Sequence, residues 1–489
     1  MQEIDVLKTL EPLEALDLRK RNTVSEIVEG MEKCSFGARN IGEVARTITD
    51  WIQNYERKPV VIFEGDPCSP LGLLLNHMHF EKKWLRDVFT LHEYEEWLNQ
   101  HDRVIVVGEY LEREALPIYY GLPDDHIIFI NPYEKAKPGK VRDGYFPNVV
   151  FSDPSFIAPL LYWTLKERLD GERIPARRLI DDLNQHRYGG LGDEVAHGAS
   201  TWRAMKEAGC RMFVTISGAM TVAEMSLLIC DMIEMGLAHY ISTTGALMAH
   251  GLVHSAGLKH YKYNPAISDT VLAAHELNRV TDTLEPEHNL DHVEEILGRV
   301  FTAWDGRKPL SVIKLHQLIG QYLHENYPNE RGILKSAFEH GVPVNVPAFH
   351  DSEFGNDYYT HNQQRFREGR EKIRIDQESD TEHLLFLLAT SEKNGIFSIG
   401  GGVPRNNTQN GLPLINLCNK RLDLRLSQNK FLYCCRIDLA AMHPGGMSGC
   451  TYNENEAWGK VDAKAIKAEV HADATIVWPV MLKSMMETL

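Results

Sequence analysis

Residues 454–460 read Glu-Asn-Glu-Ala-Trp-Gly-Lys, and the closing lysine is the side chain whose neighbours best suit covalent chemistry. Beside Trp458 and Gly459, Lys460 can be desolvated, which lowers an amine's pKa and leaves a nucleophile near neutral pH. Glu454 could move a proton or hold a cation. A Trp-Gly-Lys triplet is unspecific by itself. Gly400, Gly401 and Gly402 follow a strand-like run at 395–399, and three residues without Cβ let the backbone pass close to a flat or charged group. The turn is neither a GxGxxG fingerprint nor a P-loop. Ser217-Gly218 and Thr244-Gly245 each close an apolar run that leads into a helix. Such ends can offer N–H groups and a helix N-terminus to an anion, although ordinary βα turns look the same. His250, about one turn further on, is either a ligand contact or an ordinary structural histidine. His288 and His292 have i, i+4 spacing, but no HExxH and no Cys or His pairs with structural-zinc spacing occur, so no metal site is expected.

The elements that must position these residues alternate. Apolar runs at 58–64, 103–109, 126–131 and 147–152 read as strands, with helices at 36–54, 70–100 and 154–169. Residues 133–147 read as a surface loop. The second half repeats the pattern with strands at 211–217, 238–244, 342–347, 395–399 and 430–438. Helices are expected at 219–236, from about 246, at 380–394 and at about 474–488, and the stretch 270–340 reads as helix-rich. Continuous apolar strands between helices imply a buried parallel sheet in an α/β protein. The charged stretch 170–195 lacks strong periodicity and is taken as the boundary between an N-terminal α/β region (1–180) and a catalytic domain (181–489).

Composition bounds the function. The 489 residues carry 52 basic and 68 acidic side chains, a net charge of −16 with His neutral, which disfavours non-specific nucleic-acid binding. Eight cysteines are too sparse for a disulfide scaffold, and adjacent Cys434 and Cys435 read as packing residues in a strand. The start of the chain lacks an apolar signal core, and the most apolar run, at 154–165, is too short for a membrane span of about 20 residues. A cytoplasmic enzyme is the expectation.

Four blocks, RMFVTISGAMTVAEM, AHYISTTGALMAHGL, GIFSIGGGVPRN, and SGCTYNENEAWGK followed by EVHADATIVWP, resemble the deoxyhypusine synthase family in order and spacing. CSFGARNIGEVARTI at 34–48 resembles the family's N-terminal signature. The stretch 55–190 has no evident counterpart. The resemblance implies a Rossmann-like doubly wound parallel sheet, NAD as cofactor, and a homo-oligomer, usually a tetramer. It implies an aminobutyl transfer from a polyamine such as spermidine, through a lysine imine, to an acceptor amine. That acceptor is a protein lysine, or putrescine in homospermidine synthase-like relatives; a relative with reduced or no catalysis is the other alternative. By resemblance, Lys460 forms the imine, Trp458 flanks the amine, and Glu454 is a carboxylate near the substrate. Ser217, Thr244, Asp351, Gly400, Gly401, Gly402, Ala472 and Asp473 match the cofactor site. The chain departs from the family at three places. Asn356, with Asp357 beside it, stands where an Asp anchors the polyamine; Met447 replaces a second anchoring Asp; and Asn406 replaces a catalytic His.

Overall fold

The computed structural model describes residues 7–90, 101–108, 122–130, 148–443, 445 and 448–488. The chain forms two compact units. One comprises Leu16–Ala199, Tyr263–Ile267 and Ala472–Leu489. Its sheet has five parallel strands, β1 (Val60–Phe63), β2 (Asp87–Thr90), β3 (Val104–Val107), β4 (Ile127–Ile130) and β5 (Val149–Val150), in the order β2-β1-β3-β4-β5. Every residue of β1, β3 and β4 is buried, as a parallel sheet covered on both faces requires. The sequence reading of one helix over 70–100 is corrected: the helix spans Pro70–Phe80, and the chain then enters β2. As an edge strand, β2 is only half buried, so it shows no apolar run. The apolar run at 154–165 lies in the helix Pro154–Asp170, where residues 155–165 are buried. Asp153 caps its N-terminus by accepting from the Ser155 N–H at 2.8 Å. Residues 170–195 are helical rather than irregular over Ala176–His186 and again from Gly190. The expected loop at 133–147 lies outside the described residues.

The other unit comprises Met1–Ala15, Ser200–Lys262 and Ser268–His471. Its main strands are β6 (Arg211–Ile216), β7 (Tyr240–Thr243), β11 (Val344–Asn345), β12 (Asn394–Ile399), β13 (Phe431–Ile437) and β14 (Val461–Val470). A small antiparallel sheet joins β8 (Tyr261–Lys262), β9 (Leu277–Val280) and β10 (Thr283–Pro286), and its strands β9 and β10 interrupt the stretch 270–340 read as helix-rich. The main sheet is parallel throughout, in the order β11-β7-β6-β12-β13-β14. Counting only its own strands, that is 3-2-1-4-5-6, the doubly wound order whose ligand crevice lies where the order reverses, beyond the C-terminal ends of β6 and β12. Phe213, Tyr240, Ile396, Leu412, Phe431 and Tyr452 meet in the core beneath that crevice. The helix expected at 219–236 is shorter, Ser226–Glu234, because 219–225 form turns that bring Glu224 into the left-handed region at φ 68°. No helix among the described residues is long and apolar enough to cross a membrane.

Candidate active site

The crevice holds two adjoining clefts. The smaller, about 450 Å³, is lined by Ser217, Thr244, Asp351 and the turn Gly400–Gly402. The larger, about 760 Å³, is lined by Lys460, Trp458, Glu454 and Asn406 among others. Gly402, Val403 and Ser448 line both.

Local structure explains the smaller cleft. Ser217 follows β6 and donates its backbone N–H to the Ile399 carbonyl of β12 at 2.9 Å, closing the floor at the point where the strand order reverses. Thr244 caps the helix Gly245–Ser255, its Oγ1 accepting from the Leu247 N–H at 3.3 Å. Gly400 sits at φ 68°, and a Cβ there would collide with Ser217 Oγ. Gly402, at φ 66°, has open space where a Cβ would point. It also begins the helix Gly402–Leu422, whose N-terminus favours an anion.

Lys460 is fixed from both sides. Thr451 caps the helix Tyr452–Ala457, Gly459 turns the chain at φ 70°, and the Lys460 N–H donates back to Asn455 at 3.0 Å. The lysine is 8% exposed, and its Nζ donates to Asn406 Oδ1 at 3.0 Å. The Trp458 ring centroid is 5.8 Å from that nitrogen. No carboxylate among the described residues pairs with it. Burial, and then the Arg405 guanidinium, hold the amine below the usual lysine range. Glu454 is exposed at the cleft wall.

The other expected residues fall elsewhere. Asn356 is exposed and Asp357 half-buried on the helix Glu353–Arg367; neither lines the two clefts. Ala472 and Asp473 belong to the other unit, where Asp473 caps the helix Ala474–Met486 and accepts from the Gly37 N–H at 3.3 Å. Met447 lies outside the described residues. Two arginines carry structure that the sequence reading overlooked. Arg405 is buried and donates to the Ser448 and Cys450 carbonyls. Arg436, 1% exposed, donates to the Cys450 carbonyl at 2.8 Å and to Glu469 at 3.0 Å. The signal for Arg436 was a charge inside an apolar strand, rare without a buried partner.

Asp357 yields a stability prediction. Burial, then Glu294, Glu353 and Asp291, push its carboxyl up to about 7. Because the folded value lies above the unfolded one, the protonated form contributes stability that is complete below about pH 4 and lost as pH rises through 7. Asp357→Asn should therefore stabilise the protein above pH 8, by on the order of 1 kcal/mol after allowance for solvent screening, and little below pH 4. Thermal unfolding across this range checks it; an equal shift at both ends would refute the assignment.

Comparison with known proteins accords with this geometry. The deoxyhypusine synthase family profile matches residues 178–485. "Probable deoxyhypusine synthase 1" of Methanosarcina mazei is 28% identical over 324 residues, 65% of this chain and 95% of that protein. Its namesake in Methanosarcina acetivorans is 31% identical over 272 residues, covering 56% and 78%. A "deoxyhypusine synthase-like protein" of Caulobacter vibrioides is 26% identical over 318 residues, covering 64% and 84%. With well over half its length matched by the profile, and with the doubly wound sheet and the lysine cleft at its crevice, the chain belongs to the deoxyhypusine synthase family.

Proposed function

We propose that the chain is an NAD-dependent transferase that moves an aminobutyl group from a polyamine, through an imine on Lys460, to an acceptor amine. One observation carries the reading: a buried, carboxylate-free lysine amine opens into a cleft that shares its wall with the cleft at the sheet crevice. The smaller cleft suits a dinucleotide. Gly402 leaves room for close approach, Ser217 and Thr244 offer hydroxyls, Asp351 offers a carboxylate to a ribose, and the helix N-terminus favours a pyrophosphate. Gly400 and Gly401 line the same cleft. When bound, NAD supplies a reversible hydride acceptor for the carbon bearing the amine.

The chain's own residues do the rest. Lys460, whose ammonium form burial and then Arg405 disfavour, attacks through its neutral amine the carbon of the oxidised, imine form of the substrate. The bond from that carbon to the leaving diamine breaks, and the four-carbon unit stays on Nζ as an imine. The acceptor amine attacks this imine and frees the lysine, leaving an imine on the acceptor that would take back the hydride removed at the start to give the secondary amine. Asn406 orients Nζ, the Trp458 face flanks the methylene stem and cationic end, and Glu454 attracts an ammonium at the wall. The exposure of Trp458 (71%) and Val403 (53%) at the cleft supports a homo-oligomer in which another copy covers them.

With NAD and spermidine labelled in its aminobutyl arm, the protein should release diaminopropane, pass label to added putrescine, and leave no net NADH. Parallel reactions with a lysine-bearing translation factor identify a protein acceptor. Steady NADH accumulation without transfer would show a simple amine dehydrogenase and overturn the proposal.

A further inference from the structure

We infer that the chain carries a divalent transition-metal site, of the Zn2+ type, made by His250, His260 and Glu285. These residues come from three elements. His250 lies on the helix Gly245–Ser255, His260 stands immediately before β8, and Glu285 lies on β10, which pairs antiparallel with β8. His260 is 0% and Glu285 1% exposed. One ligand atom from each of the three lies within 4.8 Å of the other two. The approaches are His250 Nδ1 to Glu285 Oε2, and His260 Nε2 to Glu285 Oε1 at 3.5 Å. Bonds of about 2.0–2.1 Å in a tetrahedral site put ligand atoms about 3.4 Å apart, within reach of small side-chain adjustments. The same atoms, His250 Nδ1, His260 Nε2 and both Glu285 oxygens, lack a partner in hydrogen-bonding geometry although they are buried and converge. A cation coordinated between them would satisfy all of them, with a fourth position left to water or a further ligand.

The surrounding shell strengthens the case. Metal-bound histidines nearly always present their other nitrogen to a carboxylate or carbonyl. Here His260 Nδ1 faces Glu224 Oε1 at 2.9 Å, and His250 Nε2 faces Glu353 Oε1 at 3.9 Å. Glu224 has a second histidine beside it: its Oε2 lies 2.8 Å from His254 Nε2, and its backbone sits at φ 68°, a strained setting for a residue other than glycine. Two imidazoles and a carboxylate suit a borderline ion such as Zn2+ better than Mg2+ or Ca2+. The ion would pin the helix whose first residue, Gly245, lines the smaller cleft, and would meet through His250 the residue that follows Asp351 and Ser352. The inference does not depend on the proposed transfer reaction. It escapes motif searches because the ligands are dispersed along the chain.

The test is the metal content of the native protein, purified without affinity metals or chelators and measured by inductively coupled plasma mass spectrometry. About one first-row ion per chain is expected to survive dialysis. Co2+ added to the metal-free chain should give visible ligand-field bands, displaced by Zn2+. Glu285→Gln should lower bound metal at least about tenfold with an unchanged circular dichroism spectrum, and Glu224→Gln, a positioning residue, should weaken Zn2+ affinity about 10–100-fold. A native chain holding less than about 0.1 ion, with no Co2+ bands on titration, would overturn the site and leave a hydrogen-bonded His–Glu network. So would full metal retention in both Glu285→Gln and His260→Gln.

Discussion

Lys460→Arg is expected to abolish the trapping of labelled spermidine by borohydride and to lower transfer at least about 1,000-fold, while NAD affinity changes little. The argument is chemical before it is structural. Imine formation needs a neutral amine, and a guanidinium, with a pKa above about 12, does not release its proton in a protein. Arginine keeps much of the length and a nitrogen donor for Asn406, so loss of trapping points to nucleophilicity rather than packing. Wild-type trapping should quicken as pH rises and level off below the range of an ordinary lysine, because burial and Arg405 disfavour the ammonium form. Arg405→Gln removes the nearby positive charge, so this limb should move to higher pH. Label that persists in Lys460→Arg would reject the lysine's role. An unshifted limb in Arg405→Gln would show that burial alone sets the amine's state.

How much of this was legible in sequence depended on burial. The runs at 211–217, 395–399 and 430–438 are central strands of a parallel sheet, apolar on both faces, and each contains the strand found there or nearly all of it. Cys434 and Cys435 are both fully buried in β13, as packing residues would be. The edge strand β14, with the sequence VDAKAIKAEV, shows no such run because much of it stays partly exposed. The short antiparallel strands β9 and β10 were hidden in the stretch 270–340 that read as helix-rich. The lysine, the tryptophan and the glycine turn could be named individually because small or reactive residues stand out against apolar surroundings. Their assembly could not, since Asn406 meets Lys460 only once the crevice is folded. The cluster of His250, His254, His260, Glu224 and Glu285 shows the same limit. Its one local signal, the i, i+4 pair His250 and His254, resembles any helix face until Glu285 arrives from β10.

Arg436→Met should be the most destabilising single change near the site, by about 3–5 kcal/mol, because it leaves a largely buried carboxylate without its partner. Arg436 Nη2 donates to Glu469 Oε2 at 3.0 Å, and Glu469 Oε1 accepts from the Tyr452 N–H at 2.7 Å. Nη1 donates to the Cys450 carbonyl at 2.8 Å. One guanidinium thus ties β13 to β14 and to the loop that enters the helix Tyr452–Ala457, which ends just before Trp458 and Lys460. Methionine fills a similar volume but supplies no donor, so the Glu469 charge loses its partner and the Cys450 carbonyl keeps only Arg405. Arg436→Lys keeps the charge without the planar fork and should recover only part of the loss. Unfolding in denaturant measures the cost. Adding Glu469→Gln to Arg436→Met should restore a substantial share, since the neutral amide no longer strands a charge. If the double variant is no more stable than Arg436→Met, the arginine acts through packing alone and this ion pair does not set the position of Lys460.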